Sequence, residues 1–331
     1  MKRGLIMANI KDVAKKAGVG IATVSRVLNN SGYVKESTSI RIKEAIKELN
    51  YIPNEIARSL INQSNKTIAF ILPNSMHLFF GELLYYTEEY LFDMGYKVLL
   101  CNSSGKRDKE IYYLEMLKNN RVDGVILLTT NDIEEHLDSS LPIISFDSIF
   151  EDIPFVSSDN YMGGKLAAKR LIDNECGKIL YLGKKNIVNK RVYNTNTVKR
   201  KQGFLDQMFL NEIDVSIYEY TYDQYQNIDI LLSDYFDKNI DFDGIFAMTD
   251  ELAFKVANIY KEKAILPGKD ISIIGFDGGR SYQNTCFNLT SINQDSKELA
   301  KALSEMIVEK IKKNDVKSTL VPVKINDGDT A

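Results

Sequence analysis

Residues 10–34 read IKDVAKKAGVGIATVSRVLNNSGYV, and their apolar positions repeat only at helical spacing. Ile10, Val13, Ala14 and Ala17 fall on one face of a first short helix. Gly18, Val19 and Gly20 interrupt it, because glycine tolerates the backbone of a tight turn and weakens a helix interior. Val24, Val27 and Leu28 make the inner face of a second helix. Ile42, Ala45, Ile46 and Leu49 line a third, which Pro53 keeps from running past Tyr51. Three short helices with a glycine turn between the first two predict a helix-turn-helix. A fourth segment, Asn54 to Leu60, starts at a Pro-Asn signal and runs into the polar stretch Asn62 to Lys66, which reads as a linker.

Beyond Lys66 the pattern changes to short Ile- and Val-rich runs. They are IAFILP from Ile68, KVLLCN from Lys97, DGVILLT from Asp123, LPIISFD from Leu141, KILYLG from Lys178, VSIYEYTY from Val215, DGIFAMTD from Asp243 and DISIIGFDG from Asp270. Amphipathic segments such as Phe80 to Asp93, Gly163 to Asp173 and Leu252 to Lys263 lie between them. Such alternation predicts parallel sheets with helices on both faces, and its length suits two doubly wound lobes better than one barrel. In open parallel sheets ligands sit beyond the carboxyl ends of strands, so the polar residues that end these runs are candidates for a cleft.

Charge is divided along the chain. Residues 1–62 carry 11 Lys or Arg against 5 Asp or Glu, and the remainder 31 against 40. A basic head on an acidic body is the footprint of a nucleic-acid-binding module fused to a partner domain. The three cysteines are scattered and form no CxxC pair, so they indicate neither a disulfide framework nor a zinc site, and a reducing cytoplasm is expected. No run of eighteen apolar residues exists, the start has no secretory pattern, and Met7 is an alternative start. An enzyme is not expected: the only histidines, His77 and His136, sit in no nucleophile or metal pattern. Near Gly163 and Gly164 a phosphate loop would need Ser or Thr where Leu166 stands.

The elements DVAKKAGV (12–19), TVSRVLN (23–29) and NYIPN (50–54) closely resemble the lactose-repressor (LacI/GalR) family of bacterial transcription regulators. The resemblance runs over the whole chain. It implies an all-α headpiece over 8–62, with a hinge helix at 54–61, and a periplasmic-binding-protein-like α/β sensor domain over 66–331. Lobe 1 would take 66–160 and 292–321, and lobe 2 would take 161–291 and 322–331, with crossings near Tyr161, Ser291 and Pro322. It further implies a homodimer on a pseudo-palindromic double-stranded DNA operator, a sugar or sugar-phosphate effector, and neither cofactor, metal nor membrane.

The second helix would enter the major groove. By resemblance, Ile21, Ala22 and Arg26 face bases and Thr23 and Ser25 lie near phosphates. Arg26 is the one side chain of the three suited to a bidentate contact with guanine. Gly20 replaces the serine usual at that helix start. Asn29, Tyr33, Lys35, Arg41 and Asn54 would meet phosphates, Ala57 would let paired hinge helices approach, and Leu60 would wedge between base steps.

In the sensor domain, Arg200 in VKRKQGF and Asp277 in IIGFDGG match the family's ligand anchors. A guanidinium and a carboxylate can each grip adjacent hydroxyls. Asp159 and Asn160 look like further polar contacts, and Phe79, Phe80 and Tyr222 would offer stacking surface. Thr249 replaces a usual asparagine, beside an Asp250 read as the cap of a helix beginning at Glu251. DIPFVSSDNYMGGKLAAKRLI (152–172) resembles repressors of carbohydrate-use operons, including sucrose-responsive ones. Two alternatives remain open. One is a global carbon regulator that docks a phosphorylated carrier protein on Lys106, Arg107 and Lys109; the other is a sugar-binding transport component.

Overall fold

The computed structural model describes residues 8–29, 31–51, 64–129, 131–185, 196–278 and 287–331. It divides into two compact units, Met1–Asn65 and Lys66–Ala331. The segment expected to form the hinge helix, with Asn54, Ala57 and Leu60, lies outside the described residues.

In the first unit three helices form where the periodicity places them: α1 (Ile10–Ala17), α2 (Ile21–Asn29) and α3 (Glu36–Glu48). A capping box starts α1: the Asn9 side chain accepts the Lys11 and Asp12 amides, and Asp12 accepts the Asn9 amide at 2.9 Å. Gly18, at φ 64°, ends α1 in a left-handed cap and turns the chain toward α2. Val13, Ala14, Ala17, Val24, Ile42 and Ala45 are buried at the centre, and Ile10, Val27, Leu28, Ile46 and Leu49 are half-buried around them.

The described residues of the second unit form two six-stranded sheets. Lobe 1 is built on β1 (Thr67–Leu72), β2 (Lys97–Asn102), β3 (Gly124–Leu127), β4 (Ile143–Phe146), β5 (Phe155–Ser158) and β11 (Thr319–Val321). Their order is β11-β5-β4-β3-β1-β2, with every pairing parallel. Lobe 2 uses β6 (Ile179–Lys184), β7 (Val215–Tyr220), β8 (Gly244–Ala247), β9 (Ser272–Phe276), β10 (Thr290–Asn293) and β12 (Lys324–Asn326). Their order is β12-β10-β9-β8-β6-β7, parallel except for β10 with β12. The longer helices are α4 (Leu78–Asp93), α5 (Arg107–Lys118), α6 (Asn160–Asp173), α7 (Asn196–Leu210), α9 (Ile228–Lys238), α10 (Asp250–Glu262) and α11 (Ser296–Ile311), with a single turn, α8 (Tyr222–Tyr225). Parallel pairing buries both faces of a sheet, which is why these strands read as unbroken apolar runs.

The chain passes between lobes three times: at Asp159, at Gln294–Asp295 and at Pro322–Val323. Two boundaries therefore move. Asn160 opens α6, whose Ala167, Ala168 and Leu171 pack in the lobe 2 core. Ile292 and Asn293 belong to lobe 2 as well, because Ile292 pairs with Phe276 and Asn293 with Lys324. The first and third crossings are joined by the Asp159 amide, which donates to the Val321 carbonyl at 2.9 Å. Two crossings are finished by aspartates that cap the next helix: Asp159 accepts the Met162 amide, and Asp295 accepts the Glu298 amide.

Candidate functional site

On the first unit, α2 presents Ile21, Ala22 and Arg26 to solvent, while Val24 faces the core. Thr23, Ser25 and Asn29 are half-buried, and the Asn29 amide donates to Ser25 Oγ at 3.2 Å. Tyr33, 90% exposed, projects from the loop before α3. A side chain so placed has no packing role in the unit and is free to meet a partner. Gly20 has nothing within 4 Å of where a Cβ would stand, so its departure from serine meets no steric demand.

In the second unit the strand ends bring together charges from both lobes. Arg200, on α7, is 2% exposed. Its Nε and Nη2 donate to Asn160 Oδ1 at 3.0 and 2.7 Å, Nη1 donates to the Met248 carbonyl, and its Cζ lies 3.2 Å from the Phe276 ring centroid. Two glycines make this possible. A Cβ on Gly164 would strike the Arg200 carbonyl, and one on Gly203 would strike the Tyr161 carbonyl. The bare backbones let α6 and α7 touch, and Arg200 thereby reaches Asn160. The Gly163-Gly164 pair is thus explained by packing.

Burial pushes the Arg200 pKa down, and the charges of Asp277, Asp147 and Asp250 oppose that shift. Asp277 follows β9 at φ 125°, a region L-residues rarely adopt, and is 5% exposed. Gln294, in the second crossing, donates to Asp277 Oδ1 at 2.6 Å. From lobe 1, His77 Nε2 lies 3.8 Å from Asp277 Oδ2.

Asp147, which ends the LPIISFD run, escaped the sequence-based site although it carries the signal stated there, a polar residue closing a strand run. It sits at φ 56° and accepts from Ser157 Oγ at 2.5 Å. Burial lifts its pKa to about 6, while Ser157 and Arg200 pull it down. A relay results: Asn160 Nδ2 donates to Ser157 Oγ at 3.4 Å and Ser157 donates to Asp147, so lobe 1 is wired to Arg200 through the first crossing.

Other expected residues are placed differently. Phe79 is 1% exposed in the lobe 1 core, 6.1 Å from Phe146 by ring centroids, and offers no stacking face. The cause is helical spacing: Phe79, Leu83, Thr87 and Leu91 all lie on the inward face of α4. Phe80 is half-buried, its ring 4.8 Å from His77. Thr249 caps α10 through the Leu252 amide, so the helix begins at Asp250, one residue earlier than expected. Asp250 is fully buried and accepts from Ser291 Oγ at 2.6 Å, and Ser291 Oγ accepts the Gly278 amide just behind Asp277. Tyr222 opens α8, and its side chain lies outside the described residues. Cys101 is buried with its thiol pushed up to about 11, which keeps it protonated and unreactive. Among the described residues no helix is long and apolar enough to cross a membrane, and no group of three or more His, Cys, Asp or Glu could hold a metal ion.

A helix-turn-helix headpiece followed by a hinged two-lobed domain, with charged side chains converging at the lobe junction, defines a ligand-responsive DNA-binding regulator. The bacterial regulatory proteins of the lacI family match residues 9–54, and the periplasmic binding proteins and sugar binding domain of the LacI family match residues 65–326. The chain belongs to the LacI family. It is 38% identical to the sucrose operon repressor of Streptococcus mutans serotype c, over 98% of this chain and 100% of that protein. A periplasmic binding protein/LacI transcriptional regulator from Alkaliphilus metalliredigens QYMF, complexed with D-xylulofuranose, superposes at a TM-score of 0.69 with 29% identity, covering 80% of this chain and 98% of that one. The lac repressor dimer bound to operator and the anti-inducer ONPF shares the fold at a TM-score of 0.83 and 20% identity, covering 98% of each chain.

Proposed function

We propose that this chain is the repressor of a carbohydrate-use operon, acting in the cytoplasm as a homodimer on a pseudo-palindromic operator and released from DNA by a sugar. The observation that carries this reading is the buried Arg200–Asn160 pair, flanked by Asp147 and Asp277 at the lobe junction. Three of the five guanidinium N–H groups are engaged by protein, which leaves donors for vicinal hydroxyls, and the carboxylates accept in return. On the DNA side Arg26 reads a guanine and Ile21 and Ala22 meet thymine methyls or sugar edges. Thr23, Ser25, Asn29 and Tyr33 contact the backbone, with Asn54, Ala57 and Leu60 forming the hinge contact. Likeness to a sucrose operon repressor supports a sugar effector.

The rival readings fit less well. Of the residues considered for docking a carrier protein, Arg107 pairs with Glu135 at 2.7 Å and Lys109 Nζ donates to the Asn102 carbonyl, so two of the three cations serve lobe 1 itself. A transport component leaves the headpiece unexplained.

The test is fluorescence anisotropy of a labelled palindromic operator with the full chain, with and without sucrose, D-fructose and D-ribose. One of these sugars should weaken operator binding at least tenfold. Arg200→Met keeps the stem on Phe276 but has no donors, and should bind operator normally while ignoring the sugar. A variant that still responds would move the effector site elsewhere.

A further inference from the structure

We infer that Glu110, on α5 of lobe 1, is a positioning residue of the effector site: through Thr129 and Ser148 it fixes the turn that presents Asp147 at the lobe junction. The link to an effector rests on the sugar reading above. Glu110 is 0% exposed, so its carboxylate is closed off from any ligand and can act on the site only through its neighbours.

A buried carboxylate is costly unless hydrogen bonds replace its water. Ser103 Oγ, after β2, donates to Oε1 at 3.0 Å, while Thr129 Oγ1 and Asn131 Nδ2, after β3, donate to Oε2 at 2.6 and 3.0 Å. These donors are neutral and sit in loops beyond the carboxyl ends of two strands, so Glu110 works by holding those loops in place. The hold passes on to the turn after β4. Ser148 Oγ donates to the Thr129 carbonyl at 2.6 Å and accepts the Thr129 amide at 3.3 Å, so one hydroxyl clamps the Thr129 backbone from both sides. Ser145 Oγ donates to the Ser148 carbonyl at 2.6 Å and closes the turn over residues 145–148. Asp147 stands inside that turn at φ 56°, a left-handed backbone that a non-glycine residue keeps only where its surroundings over-determine it. Those surroundings are the flanking serines and, behind them, Thr129 and Glu110.

Without the carboxylate, Ser103 and Thr129 would be buried hydroxyls short of an acceptor. Thr129 would turn toward another partner, its amide and carbonyl would shift with it, and the turn would lose the clamp that sets Asp147 against Ser157. Asp147 reports such a change itself. Its pKa of about 6 is set first by burial, then by the Ser157 hydroxyl and by the charges of Arg200 and Asp277, all of which depend on where the turn stands.

The test uses the full chain carrying carboxyl-labelled aspartate, with the Asp147 carbon resonance identified by its loss in Asp147→Asn. Because burial is the largest influence, Glu110→Ala should move the Asp147 titration midpoint down toward the ordinary carboxylate range. Glu110→Gln, which keeps an acceptor for Thr129 and Asn131, should restore most of the native midpoint. Thr129→Val cuts the same link with the Glu110 charge in place; it should move the midpoint the same way, and it decides the matter if Glu110→Ala does not fold. Calorimetry with sucrose, D-fructose and D-ribose should show Thr129→Val binding sugar about tenfold more weakly than the native chain, the worth of one well-placed hydrogen bond. A native midpoint in either folded variant overturns the inference. A moved midpoint with native sugar affinity overturns the effector role of the link and leaves the sugar reading standing. If none of the sugars binds the native chain, the sugar reading falls, and the midpoint then decides by itself whether Glu110 positions Asp147.

Discussion

In the operator contact proposed above, Arg26 bears more of the recognition than a single residue ordinarily would. Its neighbours on the exposed face of α2, Ile21 and Ala22, can neither donate nor accept. Arg26→Ala should lose about 1–3 kcal/mol of operator discrimination, read as the ratio of specific to nonspecific affinity in a gel-shift titration at fixed salt. An unchanged ratio would place the reading side chain elsewhere. Asp147 gives a second residue-scale expectation, in pH. Its folded pKa of about 6 lies above the ordinary 3.8, so the native state holds the proton more tightly than the unfolded chain. Its contribution is most favourable below about pH 4 and declines as pH rises to about 6, by something on the order of 2–3 kcal/mol. Asp147→Asn should flatten that decline in urea melts between pH 4 and 7; an identical slope would show that another group titrates. Both carboxylates at the lobe junction, Asp147 and Asp277, stand on positive-φ backbone, where a side chain costs about 1–3 kcal/mol, so stability is given up at the place where the charges of the two lobes converge.

At the scale of elements, the contact of α6 with α7 decides whether a site exists. A methyl at Gly164 would collide with the Arg200 carbonyl, and a backbone atom cannot swing aside as a side chain does. Gly164→Ala should cost about 2–3 kcal/mol in chemical denaturation and should weaken sugar binding, because Arg200 moves away from Asn160. Full stability in that variant would mean the helices can separate without penalty. How much of this was legible in sequence depends on element type. The headpiece helices and eight of the strands were readable because burial on one face, or on both, writes a period or an apolar run into the chain. The strands β5, β10, β11 and β12 were not, because FVSS, TSIN, TLV and KIN are three or four residues long, too short to show an apolar run or a period. Arg200 and Asp277 were picked out by their match to family motifs, and Asn160 by its place at the expected crossing between lobes. Asp147 required the fold, since only packing shows which strand ends meet, and Phe79 was misjudged because adjacent phenylalanines on a helix face different ways.

For the whole molecule, a basic reading head and an acidic sensing body solve separate problems with separate materials. Among its described residues the headpiece has a small core of six buried side chains and relies on exposed polar groups. Among its described residues the sensor unit has four extensive clusters, two for each lobe, and buries Arg200, Asp147 and Asp277 at the junction between them. Its three crossings then govern what motion the junction allows. Had they been three independent threads, the lobes could slide, twist and flap. The Asp159–Val321 bond ties two of the threads into one ribbon with a definite breadth, and a ribbon bends across its width far more readily than it shears or rolls. A turn of one lobe on the other that carries the Asp159 and Val321 segments together keeps that bond, whereas a slide of one segment past the other breaks it.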